Sequence, residues 1–139
     1  MNALCKLASD FGPLVGRILL ALIFILAGFN KIPGFEQTAG YMASKGLPMV
    51  NILLALTIVI ELGGGLMVLL GLFARYAAAA LFLFCIPATF IFHDFWNVAD
   101  AQAAYMQQLM FMKNLAIMGG LAMVVAFGSG KFSVKQESC

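Results

Sequence analysis

Charge is what this chain has least of: 10% of its 139 residues are Asp, Glu, Lys or Arg, against about 25% in an ordinary soluble domain. So little polar surface cannot cover a water-soluble globule, and a mean hydropathy of +1.01 agrees. The expected solvent is the bilayer. The net charge is +2 with no run of Lys or Arg, which excludes nucleic acid as a partner. His93 is the single histidine, so bis-His haem and multi-His metal sites are excluded and no metal is expected. Cys5, Cys85 and Cys139 stand alone without a CxxC, which excludes a disulfide framework and argues against dithiol exchange. Each reads as a packing residue or a free terminal thiol. There is no Gly-rich phosphate loop and no nucleophile elbow. No self-contained catalytic motif is visible. Lys6 before an apolar stretch imitates a signal peptide, but Arg17 interrupts that stretch and Phe29 stands where a lipoprotein box would have Cys. The segment reads as a retained helix.

What is abundant is apolar sequence, at 63%. A membrane span needs about 20 mostly apolar residues, and four windows qualify, 13–30, 49–73, 76–92 and 109–128. They are apolar all round rather than alternating, so they predict helices and not barrel strands. The expectation is an all-α integral membrane four-helix bundle, with 1–139 as one unit. The polar connections are 31–48 and 93–108, and Ala74-Arg75 is the tight turn between the second and third spans. An even number of spans puts both termini on one side. That side holds Lys6, Arg17, Arg75, Lys131 and Lys135, the other Lys31, Lys45 and Lys113. Five cations against three predict cytoplasmic termini. Helices in a bilayer associate through close packing of small residues, for which Gly63, Gly64, Gly65 and Gly71 in the second span and Ala116 with Gly120 in the fourth are the candidates.

Glu61 stands at the centre of the second span, where an ionised carboxylate costs at least about 2.5 kcal/mol. It must face the bundle interior, be protonated, or both. Helical spacing puts Thr57, Gly64 and Gly65 on its face. A functional role is the default reading of such a residue, and a neutral or paired Glu that fixes helix packing is the structural alternative. Two cations inside the spans compete as its partner, Arg17 and Lys113. Side chains lean toward the N-terminus of their helix, so Glu61 leans outward. That favours Lys113, adjoining Asn114, and leaves Arg17 to snorkel to the inner interface. At the outer end Lys31, Glu36, His93, Asp94 and Trp96 form a second polar set, in which the HDFW segment also reads as an interfacial anchor.

Taken in order, Arg17, FILAGFNK (24–31), KGLP (45–48), IELGGG (60–65), LGLFAR (70–75), HDFW (93–96) and KNLAIMGG (113–120) resemble the DoxX family of small four-helix membrane proteins. The resemblance covers nearly the whole chain. It implies a bacterial or archaeal cytoplasmic (inner) membrane location and polar positions at Arg17, Lys31, Glu61, Arg75, His93, Lys113 and Asn114. The founding archaeal members are associated with thiosulfate:quinone oxidoreductase and terminal-oxidase complexes, and some bacterial members with redox-stress assemblies. The implied role is therefore a membrane subunit of a quinone-linked redox system, an accessory subunit rather than a complete enzyme. Quinone is the implied ligand, no cofactor is expected to be covalently bound, and a homo-oligomer or larger membrane redox complex is the implied setting. These residues include no soluble redox domain, so thiosulfate oxidation by this chain alone is not expected. The competing readings are a non-catalytic assembly partner, whose polar residues specify helix contacts, and a small proton-coupled transporter built around Glu61.

Overall fold

A computed structural model describes residues 2–137, so Cys139 lies outside the described residues. Five α-helices follow one another: α1 (Ala3–Lys31), α2 (Phe35–Ser44), α3 (Val50–Leu70), α4 (Ala74–Phe92) and α5 (Ala101–Phe127), with a single 3₁₀ turn at Phe95–Asn97 before α5. Four of them are long and apolar enough to cross a membrane, and all but α2 belong to that set. The α1 and α5 helices outrun their apolar windows because each carries an N-cap beyond the window. Asn2 accepts from Cys5 N at 2.9 Å, and Asp100 accepts from Ala103 N at 2.8 Å. Such caps satisfy amide groups that the first turn leaves without partners. The stretch 93–108 is thus a polar connection only as far as Asp100, and its second half is helix.

The α2 helix is absent from the apolar windows altogether, since it is ten residues long and half polar. It buries Ala39 and Met42 against Leu54 of α3, with Leu47 and Phe92 packed alongside. Between α3 and α4 the turn falls at Gly71-Leu72-Phe73, three residues earlier than Ala74-Arg75, which already belong to α4. Gly71 takes φ +68 as the α3 C-cap, a left-handed conformation that glycine adopts without a steric penalty.

The main core joins α1, α3, α4 and α5 through Ala21, Phe24, Val68, Ala78, Leu81 and Leu121. Close approach depends on glycine at α1/α3, where a methyl at Gly65 would come within 2.9 Å of Ile25 Cγ1, and one at Gly28 within 2.8 Å of Leu62 Cγ. Gly64 seats Leu81 and Gly120 seats Leu20, whereas Gly63 faces open space and Ala116 is exposed. The small residues named from sequence therefore divide into those that pack within the chain and those that do not.

Arg17 corrects the snorkelling expectation, because it is 1% exposed. Its Nη1 donates to Val68 O at 3.1 Å and Leu69 O at 2.9 Å, and its Nη2 donates to Phe132 O. The last carbonyls of α3 lack intrahelical partners, and the segment 128–137 folds over this end, pairing Val134 N with Leu70 O and Lys135 N with Gly71 O. That cover keeps water out, so the guanidinium stays inside and caps α3. Arg75 does the same for α5, donating to Val125 O at 2.7 Å and Ala126 O at 2.8 Å. Replacing Arg17 by Met strands Leu69 O and Phe132 O, while Val68 O keeps the Gly71 amide at 3.2 Å, and should lower stability by about 3 kcal/mol. Denaturant unfolding in mild detergent measures this, and an unchanged midpoint would contradict the capping role.

Candidate functional site

At the end of the bundle opposite Arg17, a cavity of about 350 Å³ lies among the helices. It falls within the usual size of a ligand pocket, about 300–1,000 Å³. Its walls are mainly apolar, with Phe24 of α1, Leu54 of α3, Phe84 and Phe92 of α4 and Ile117 of α5. Into it point Lys31, Thr57, Glu61, His93, Lys113 and Asn114, together with Tyr41 of α2 and Cys85 of α4. Members of both candidate sets line this one cavity, Thr57, Glu61, Lys113 and Asn114 from the intramembrane set and Lys31 and His93 from the outer one.

Glu61 does not pair with Lys113. Its partner is Lys31, whose Nζ donates to Oε2 at 2.9 Å and Oε1 at 3.1 Å, with a further contact to Ala27 O at 3.4 Å. The reason is directional. Lys31 is the last residue of α1 and its side chain leans back toward that helix's N-terminus, while Glu61 on the antiparallel α3 leans the opposite way. The two converge. A span ending at residue 30 places Lys31 in a connection and hides this pairing. Lys113 sits on α5, which packs on α4 and not on α3, so it reaches the cavity from a separate wall. The Glu61 side chain is 7% exposed and that of Lys31 25%.

Smaller bonds set the remaining polar groups. Asn114 Nδ2 donates to Thr89 Oγ1 at 3.1 Å, tying α5 to α4. Thr57 donates its hydroxyl to Leu53 O at 2.9 Å, which leaves the oxygen's lone pairs for the cavity. His93 Nδ1 lies 2.8 Å from Gln107 Oε1. The α2 helix closes one side of the cavity with Thr38, Tyr41 and Met42, and two contacts hold it there. Lys45 pairs with Asp94 at 2.9 Å, and the Tyr41 ring lies 5.7 Å from that of Phe92. The Asp94 carboxylate beside Lys45 holds that ammonium above the usual lysine range.

The cavity does not include every residue that the sequence nominated. Arg17 belongs to the opposite end as a cap. Asp94 serves Lys45 instead of lining the cavity. Glu36 is exposed on α2. Trp96 is 54% exposed and packs edge-on with Phe95 at 5.2 Å and Phe111 at 5.9 Å. Tyr41 and Cys85 were the residues that spacing missed. Tyr41 rides on the helix that has no apolar signature. Cys85 reads as packing, but it shares the face of Ala88 and Phe92, three and seven residues on, and that face lines the cavity.

Removing one partner of the Lys31–Glu61 pair leaves a poorly solvated charge, and removing both does not. Lys31→Met and Glu61→Leu singly should each destabilise the protein more than the double variant does relative to either. The double-mutant coupling should be about 1 kcal/mol or more, measured by unfolding in mild detergent. Strict additivity would rule the pair out as a stabilising contact.

Comparison with known proteins places the chain in a family. The DoxX family model matches residues 12–94. The chain is 40% identical over 129 residues to the inner membrane protein YqjF of Escherichia coli, covering 93% of each chain. It is 32% identical over 134 residues to the inner membrane protein YphA of the same organism, covering 92% of this chain and 95% of that one. A match to the Surfeit locus protein 4 homolog of Schizosaccharomyces pombe, 30% identical over 127 residues, takes in 89% of this chain but 36% of that longer protein. No solved structure gives a significant match. With four helices long and apolar enough to cross a bilayer, the chain is a multi-pass inner-membrane protein and belongs to the DoxX family.

Proposed function

We propose that the chain is the membrane subunit of a quinone-linked redox system and that its cavity receives the quinone head group. The observation that carries this reading is the cavity itself, which combines aromatic walls with hydrogen-bond donors inside the apolar part of the bundle. A quinone head is flat, apolar on both faces and accepts hydrogen bonds at two opposed carbonyls. Phe24, Phe84 and Phe92 offer the faces. Lys31 on α1 and Asn114 on α5 offer donors from different walls, since the Asn114 amide has a second N–H beyond the one given to Thr89. A bound quinone would take up electrons from a partner oxidoreductase together with protons. The Lys31 ammonium holds an exchangeable proton beside it, the Glu61 carboxylate can accept one, and His93, bonded to Gln107, lines the same cavity. Ionisable groups grouped in this way within a membrane-spanning bundle support a role in quinone contact or proton relay.

The purified protein should retain quinone in an organic extract and bind a short-chain quinone in titration, with binding weakened by about tenfold or more in Glu61→Gln. An absence of binding in both forms would overturn the reading.

We also place both termini in the cytoplasm. Arg17, Arg75, Lys131 and Lys135 gather at the end opposite the cavity, and positive charge is retained on the cytoplasmic side. The cavity then lies toward the periplasm. A C-terminal fluorescent-protein fusion should be bright and a C-terminal alkaline phosphatase fusion inactive. The reverse pattern would invert the topology.

A further inference from the structure

The charges that face the cavity do not cancel. Lys31 and Glu61 neutralise each other at 2.9 Å. Lys113 also lines the cavity, and among the described residues no carboxylate lies within ion-pair distance of it. Among the described residues its polar contact is Met110 Sδ at 3.4 Å, a weak acceptor. The other acids nearby are engaged or turned away, for Asp94 holds Lys45, Asp100 caps α5 and Glu36 is exposed without lining the cavity. Lys113 stands four residues inside the apolar window that begins at residue 109, about 6 Å at 1.5 Å per residue. A cation lining an apolar cavity without a carboxylate partner is a ready counter-charge for an anion that enters it.

The bundle is open where Lys113 stands. The α1 helix packs along α3 and α5 packs along α4, but α1 and α5 share few contacts, among them Leu20 seated over Gly120. On the cavity side of that contact, Ile23 and Ala27 of α1 and Lys113 and Ile117 of α5 form the edges of the seam. Lys113 is exposed there. Entry from the bilayer along this seam would not require breaking the Lys45–Asp94 contact that holds α2.

We infer that the cavity binds a lipophilic monoanion with a single apolar tail, a fatty-acid carboxylate in its simplest form, taken from the bilayer between α1 and α5 with Lys113 as counter-ion. One surplus positive charge matches one negative head and not a phosphate dianion. A cavity of about 350 Å³ with phenylalanine walls suits one chain and not two. This inference shares the cavity with the quinone reading but does not rest on it, because it follows from charge and access and not from a redox head group.

The test uses the full chain in nanodiscs of phosphatidylcholine at mildly alkaline pH. Laurate labelled at its carboxyl carbon is titrated in, with binding followed by NMR of the carboxylate and stoichiometry by native mass spectrometry. One laurate per chain is expected. Methyl laurate, which has the same tail and no charge, should bind about tenfold more weakly or worse, and Lys113→Gln should weaken laurate to a similar degree. Lys113→Arg, which keeps the charge, should retain it. Equal binding of acid and ester, or unchanged laurate binding in Lys113→Gln, would overturn the inference. The acid and ester comparison needs no variant, so it decides the matter even if a substitution impairs folding. A short-chain quinone added as competitor separates the two readings. Laurate binding without quinone binding removes the redox proposal alone, and the opposite result removes this one alone.

Discussion

A single charged contact organises the cavity half of this protein. Lys31 and Glu61 join α1 to α3 at 2.9 Å inside the apolar part of the bundle, where neither charge is tolerable alone. The contact requires α1 to continue to its last residue and α3 to hold the register that turns Glu61 toward α1. Gly28 makes that register reachable, since a methyl there would come within 3.1 Å of Glu61 Cβ. Once the pair is formed, the polar groups around it need a lining, and Thr57, Asn114 and His93 supply one. The cavity follows from keeping a necessary ion pair away from lipid.

The opposite end solves a related problem with a different residue. Two helix C-termini arrive there with unpaired carbonyls, and each is capped by an arginine from a neighbouring segment, Arg17 for α3 and Arg75 for α5. Guanidinium suits this because its several N–H groups reach adjacent carbonyls from one planar head. The segment 128–137 completes the cap, and the Glu137 carboxylate accepts from Arg75 N at 2.9 Å. One end is therefore tied together by backbone capping while the other keeps a polar cavity, and the two ends are suited to different tasks.

The four long helices are plain in the sequence because hydropathy reports them directly. The parts that hydropathy does not report were misplaced. The first ten residues of α1 and the first eight of α5 are helical through caps at Asn2 and Asp100, and α2 is too short and too polar to register. The displacement of Lys31 had the largest consequence. Ending the first span one residue early moved the true partner of Glu61 into a loop and promoted Lys113 in its place. The direction in which Glu61 leans was readable, because helix geometry sets it. Which residue it meets was not, because that depends on the α1/α3 crossing. Likewise the depth of Arg17 was readable and its burial was not, since the covering segment 128–137 looks like a polar tail.

Membership of the DoxX family and the inner-membrane location agree with this architecture, and the cavity is where a specific activity would reside. Its polar core is the Lys31–Glu61 pair, and that contact in a lipid bilayer is the decisive one to measure. Carbon–nitrogen dipolar recoupling by solid-state NMR, on protein labelled at lysine Nζ and glutamate Cδ in lipid, tests it directly. The account predicts that the Glu61 carboxyl carbon couples strongly to a lysine nitrogen and that the coupling disappears in Lys31→Met but persists in Lys113→Gln. Coupling that survives Lys31→Met and vanishes in Lys113→Gln would contradict it.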